Sequence, residues 1–199
     1  MQGEMPARNP ATMPAMTSST MPPPPFPSTA PVTLYSKPEP AASWCAVLRI
    51  SGDGSLRLVP GGVVSSGGVL PVSVAVHDNL VYVANAGNGG SNYTGFRLRH
   101  DGRLKPVAGS TVALPDGSQP GDVLFNGDGT RLAGSRIGAS LIDSFTVGDH
   151  GRLAAAPGSP FPAQGLGPFS SEFRPDEPGS AVRVQRPQWR HRRHGLGVP

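Results

Sequence analysis

Few residues in this chain have a type and spacing that could do chemistry, and they are scattered. Arg136 could present a cation to a substrate carboxylate or phosphate, and Asp122 and Glu172 are carboxylates that could take a proton; these three are the candidate catalytic residues. Acid–base work also needs a group that titrates near working pH, and none has an evident place. His77 falls at what reads as an outer turn, where a histidine is ordinarily surface, and Glu172 falls mid-strand. Asn126-Gly127-Asp128-Gly129-Thr130 spaces its oxygens like part of a calcium loop, but no distal Glu completes the ligand set, so it reads as a plain turn. Cys45 is the single cysteine, which excludes an internal disulfide, and no Cys/His cluster has zinc spacing. It reads as a small hydrophobe buried in a strand, and no metal or cofactor is implied. Asn92-Tyr93-Thr94 is a glycosylation sequon by pattern, its use set by the compartment.

The elements that must position these residues announce themselves as a repeat. Asp53-Gly54-Ser55-Leu56, Asp101-Gly102-Arg103-Leu104 and His150-Gly151-Arg152-Leu153 recur at spacings of 48 and 49, and each Leu is followed five residues later by a glycine: Gly61, Gly109 and Gly158. A three-residue strand core precedes each turn: Leu48-Arg49-Ile50, Phe96-Arg97-Leu98, Phe145-Thr146-Val147. PVSVAVH from Pro71, PGDVLFN from Pro120 and GPFSSEF from Gly167 keep the same beat. A period of this length filled with short strands predicts a β-propeller, one four-stranded blade per repeat. Alternation and turn chemistry place strands over 72–76, 80–83, 93–98 and 104–107 in the best-preserved copy, then over 122–125, 131–135, 141–147 and 153–156 in the next. No stretch has helical periodicity. The class is all-β, with blades at about 43–69, 70–118 and 119–166 and the start of another at 167–178.

Both ends depart from the pattern. Residues 1–42 hold eleven prolines and all five methionines. Pro gives no ladder donor, so this segment predicts polyproline or disorder, and the first blade is expected to lack its two inner strands. From 179 a basic tail follows. The stretch from Ala181 carries five arginines and no acid, and removing those five charges from the formal +4 leaves −1. One reading makes Arg183, Arg186, Arg190, Arg192 and Arg193, with Trp189 among them, a nucleic-acid arm. The favoured reading is a frameshift. A one-base shift permits Leu-Phe-Val-Ser-Asn-Ala-His-Asn-Gly-Gly in place of the tail, matching Val81-Tyr82-Val83-Ala84-Asn85-Ala86-Gly87-Asn88-Gly89-Gly90 in register. A propeller with open first and last blades also leaves strand edges that can pair with another chain, so self-association is expected.

From about Ala46 to Pro175, and above all in VSSGGVLPVSVAVHDNLVYVANAG, FNGDGTRLAGSRIGASLIDSFTV and GRLAAAPGSPFP, the chain resembles the seven-bladed propeller lactonase family of 6-phosphogluconolactonase-like and carboxymuconate-cyclase-like proteins. The resemblance covers about two thirds of the chain and two and a half to three of the seven blades. It implies opening or forming lactones of small acidic metabolites or sugar phosphates, carried by His, Arg and Glu at the inner ends of several blades. The family's His at the start of the inner strand is replaced by Pro71-Val72-Ser73 and Pro120-Gly121-Asp122, and its Asn-Glu after the second strand by Ser135-Arg136. The expectation is therefore a truncated, degenerate member without activity. The alternatives are a non-enzymatic propeller that binds a protein or carbohydrate partner, and nucleic-acid contact through the tail. No membrane segment or intact signal peptide is evident, which places the product in the cytoplasm by default, or outside it if a leader precedes the sequence.

Overall fold

The glycines that mark the repeat are the points where strands reverse. Gly54, Gly102 and Gly151 have φ of 81, 80 and 73°, a region that glycine enters without a Cβ penalty, and each closes the hairpin whose return strand begins at the following Leu. The computed structural model describes residues 43–174 and, as backbone alone, the strands Val32–Thr33 and Ala181–Gln185. Among these residues there is no helix, and none therefore long and apolar enough to cross a membrane.

The strands fall into four antiparallel sheets. The first is β1 (Val32–Thr33), β2 (Trp44–Ile50) and β3 (Leu56–Ser65), in that order. Next, β4 (Pro71–His77), β5 (Leu80–Asn85), β6 (Asn92–Leu98) and β7 (Leu104–Pro106) each pair with their successor, and the short β8 (Val112–Ala113) returns to β6. The plan is repeated by β9 (Pro120–Phe125), β10 (Arg131–Arg136), β11 (Leu141–Val147), β12 (Leu153–Ala155) and β13 (Phe161–Pro162). It begins again with β14 (Pro168–Phe173) and β15 (Ala181–Gln185). Two sheets are thus complete blades, the first has the outer pair of a blade and the last the inner pair. The whole is an incomplete propeller.

Sequence alone did not indicate β8 and β13. Each is two residues long and follows a positive-φ glycine, Gly109 or Gly158, so it lacks an alternating pattern long enough to read. The strand β15 lies in the stretch assigned above to the basic tail, and its register against β14 runs from Phe173 opposite Ala181 to Pro168 opposite Gln185. Residues 1–31, 34–42, 175–180 and 186–199, and with them most of the Pro-rich segment and of the basic tail, lie outside the described residues.

Each of the two complete blades packs one face on the sheet before it and the other on the sheet after. Cys45, Val47 and Val59 meet Val81, Val83, Phe96 and Leu104 in one interblade core. Tyr82, Ala84, Tyr93 and Leu114 meet Val123, Phe125, Leu132 and Phe145 in the next. β5, covered on both sides, is buried at all six positions and reads as an unbroken apolar run ended by Asn85. Burial raises the Cys45 thiol pKa to about 12, in keeping with a buried strand cysteine. Polar ties reinforce the stacking. Tyr82 Oη donates to the Gly151 carbonyl of the next blade at 2.7 Å. Arg103 Nε donates to Pro60 O at 3.3 Å and Arg152 Nε to Ala108 O at 3.0 Å, so the same hairpin position clasps the preceding blade twice. Ser55 holds that position in the first hairpin.

Candidate functional site

The inner strands β4, β9 and β14 each open on a proline that faces the last residue of the second strand: Pro71 opposite Asn85, Pro120 opposite Arg136, Pro168 opposite Gln185. A register shift follows each proline, and the residue just before it, Leu70, Gln119 or Gly167, sits at positive φ. The carbonyls of Leu70 and Gln119 accept the amides of Ala86 and Ile137, which ties the end of the second strand to the start of the first. This is the inner end of each blade, where the family resemblance puts catalytic groups.

Arg136 is at that end, but its guanidinium is engaged. Nε and Nη2 donate to Asp143 Oδ2 and Oδ1 at 2.7 and 2.6 Å, a bidentate pair whose side chains are only 12 and 2 % exposed. Asp143 pairs with Gly134 across the hairpin and so sits diagonally from Arg136, within reach of a long side chain. Tyr93 of the preceding blade donates its hydroxyl to Asp143 Oδ2 at 3.0 Å, and Gly134 lacks a Cβ where that hydroxyl would meet one. Burial works to lower the Arg136 pKa, but the hydrogen bonds and charge of Asp143, with a smaller part from Tyr93, outweigh it and hold the group above its ordinary value.

Asp122 serves a different junction. Its Oδ1 accepts Ser73 Oγ of the preceding inner strand at 2.9 Å and its own neighbour's amide, Val123 N, at 3.0 Å; its Oδ2 accepts the Ser171 amide of the following strand at 2.8 Å. Ser73 Oγ in turn accepts Val123 N at 3.3 Å. Two residues after its opening proline, each of these strands carries an oxygen that receives the next strand's amide one position further along. Asp122 and Ser73 are interblade staples. Glu172 is exposed on β14 and adjoins the stapled Ser171 in sequence. The three carboxylate and cation candidates are therefore not gathered into one constellation: Arg136 faces Asp143, Asp122 faces Ser73 and Ser171, and Glu172 faces outward.

Other sequence readings resolve as follows. His77 is not mere surface. It ends β4, its side chain is 31 % exposed, and it lies against Phe125, ring centroids 6.0 Å apart, over Gly129, where any Cβ would collide with it. Asn126 and Asp128 spend their oxygens inside their own turn: Asp128 Oδ1 accepts Thr130 N and Oγ1 at 2.9 and 2.6 Å, and Asn126 Oδ1 accepts Arg131 N at 2.9 Å. Among the described residues no group of His, Cys, Asp or Glu is placed to hold a metal ion. Asn92 of the sequon is buried, with Nδ2 donating to Gly67 O at 2.9 Å and Oδ1 accepting Asn85 and Thr94.

The fold has clear counterparts among solved structures. A Bacteroides fragilis protein assigned as a 6-phosphogluconolactonase matches with TM-score 0.58 at 21% identity over 73% of this chain and 44% of its own. The periplasmic gluconolactonase of Pseudomonas aeruginosa matches with TM-score 0.57 at 18% identity, over 73% of this chain and 43% of its own. A Bacteroides uniformis protein with the 6-phosphogluconolactonase assignment gives 0.56 at 24% identity, covering 68% and 41%. The chain has the propeller fold of these lactonase-type proteins and spans about two fifths of their length. No family model matches it, and no curated protein does.

Proposed function

We propose that this chain is a degenerate lactonase-type propeller whose inner-end charges hold blades together and no longer turn over a lactone. The observation that carries this is the bidentate Arg136–Asp143 pair, at 2.6 and 2.7 Å, closed from the other side by Tyr93. Lactone opening needs a base for water and a cation or donor aimed at the developing oxyanion, held to within about an ångström. A guanidinium already paired through two nitrogens reaches a substrate only by breaking that pair, which leaves a buried carboxylate exposed to the full cost of desolvation. Asp122, shared between two neighbouring strands, is equally committed.

The substrates to test are those the structural neighbours' names suggest, 6-phosphogluconolactone and gluconolactone, together with a muconolactone. The expected result is lactone loss at the spontaneous rate with the 199-residue chain present. Turnover above that background, abolished by Arg136→Lys in a protein that keeps its fold, would overturn the reading and make Arg136 a substrate-binding group.

A further inference from the structure

The first and last sheets are complementary halves of one blade. β2 and β3 are a third and fourth strand; Leu48, Ile50, Leu56 and Leu58 occupy the places of Phe96, Leu98, Leu104 and Pro106 in the ladder of the next blade. β14 and β15 are a first and second strand, with Pro168 opposite Gln185 as Pro71 is opposite Asn85. The first sheet also presents an apolar face that its counterparts cover. Leu104, with Leu98, packs on Val47 and Val59 of the blade before, and Leu153, with Val147, packs on the core around Tyr82. At the equivalent places Ile50 is 53 % exposed and Leu56 57 %, with Leu58 at 54 % beside them. On the far side of the third blade Phe161, equivalent to Val112, is 42 % exposed.

We propose that two copies of this chain close head to tail into a two-fold ring, each completing the other's half-blades. In that ring β15 of one copy pairs along β2 of the other, and the apolar face at Ile50, Leu56 and Leu58 seats on the partner's third blade. Two complete blades from each copy and two shared ones make a six-bladed ring with no unpaired half-blade. β1 meets the same edge of β2 only at Ala46 and Val47, so the five-residue β15 takes its place. The occupant is a second copy because both halves are on this one chain and in compatible register. The shared blade has Ser55 where Arg103 and Arg152 clasp the preceding blade, so the ring lacks that clasp at its two junctions. This inference is independent of whether the chain acts on lactones.

The register makes the test specific. In the complete blades Ala84 faces Tyr93 and Ser135 faces Ile142; the corresponding pair across the junction is Val184 and Cys45. Directly opposed strand residues bring their Cα atoms within the range a disulfide spans. The full chain is expected to sediment at twice its 20.5 kDa mass, and Leu58→Asp, at an exposed position, to restore the single-chain mass without loss of the β signal in circular dichroism. Mild oxidation of Val184→Cys is expected to give a covalent dimer through the native Cys45, whereas Val182→Cys, two residues out of register, gives none. A chain that stays monomeric, open polymers in place of a dimer, a dimer indifferent to Leu58→Asp, or equal cross-linking of both cysteine variants would each overturn the ring.

Discussion

The blades at 70–118 and 119–166 fill one place with different chemistry. Opposite the opening proline, the first has Asn85 with Asn92 and Thr94, a neutral network in which Asn85 Nδ2 reaches Asn92 Oδ1 at 2.8 Å and Thr94 Oγ1 reaches the same oxygen at 2.9 Å. The second has Arg136 with Asp143, where Asp143 takes the place of Thr94 and the partner hydroxyl comes from the other blade. The backbone frame is shared, down to the register shift after the proline. An inner-end charge is therefore no evidence of a catalytic site by itself: the ion pair performs in one blade the strand-to-strand tie that amides and hydroxyls perform in its neighbour.

The two solutions should fail very differently, and that is the sharpest way to break the comparison. Asp143→Ala leaves the Arg136 cation unpaired at a largely buried position and is expected to cost about 3–5 kcal/mol in urea unfolding. Thr94→Ala at the equivalent place removes only neutral hydrogen bonds, to Asn92 and Thr111, and should cost about 1–2 kcal/mol. Equal losses would mean that the ion pair is no more than a variant of the neutral network. Between these, Asp122→Ala takes an acceptor from amides on two strands and should cost about 1–3 kcal/mol, while Ser73→Ala, which leaves Val123 N its bond to Asp122, should cost about 0.5–1.5. The reverse order would show the staple to run chiefly through the serine.

The smallest effect belongs to the turn at Asp128, where hydrogen bonds from the Thr130 side chain and backbone lower the carboxyl pKa. A group depressed in the folded state contributes stability that is fully present above its unfolded value and is lost as pH falls through the folded one. Asp128→Asn should thus lower stability slightly at neutral pH, where the carboxylate's contribution is present, and leave it unchanged at the acid end, where the wild-type group is protonated, so that acid unfolding becomes less steep; a loss confined to low pH would contradict the assignment.

The strand plan was legible because turn glycines and a period near 48 residues are local signals. Leu141–Val147 lies where alternation placed it, and the other strands placed in the two complete blades differ by a residue or two at their ends. Side-chain partners were not legible in the same way. Ser73 and Asp122 are 49 residues apart and meet only once adjacent inner strands are side by side. Tyr93, visible in the sequence as a strand residue and the middle of a sequon, reaches Asp143 fifty residues on, in the next blade. Arg136 and Asp143 were within reach of sequence reasoning, since a hairpin with its turn at 137–140 makes them diagonal neighbours, but nothing in composition marks Asp143 as the carboxylate that holds the arginine. His77 was misplaced for the reverse reason: its exposure depends on Phe125 and Gly129 of the following blade, which no reading of its own turn reveals.

A double-mutant cycle between Arg136 and Asp143, read by urea unfolding of Arg136→Met, Asp143→Leu and the pair together, tests most directly whether the inner-end charge is structural. Each single change should destabilise by about 3–5 kcal/mol, and the double change, which leaves no buried charge alone, should recover most of that loss, giving a coupling of about 2 kcal/mol or more. Additive losses, with a coupling below about 0.5 kcal/mol, would mean that Arg136 is not committed to Asp143 and stands ready for a substrate anion.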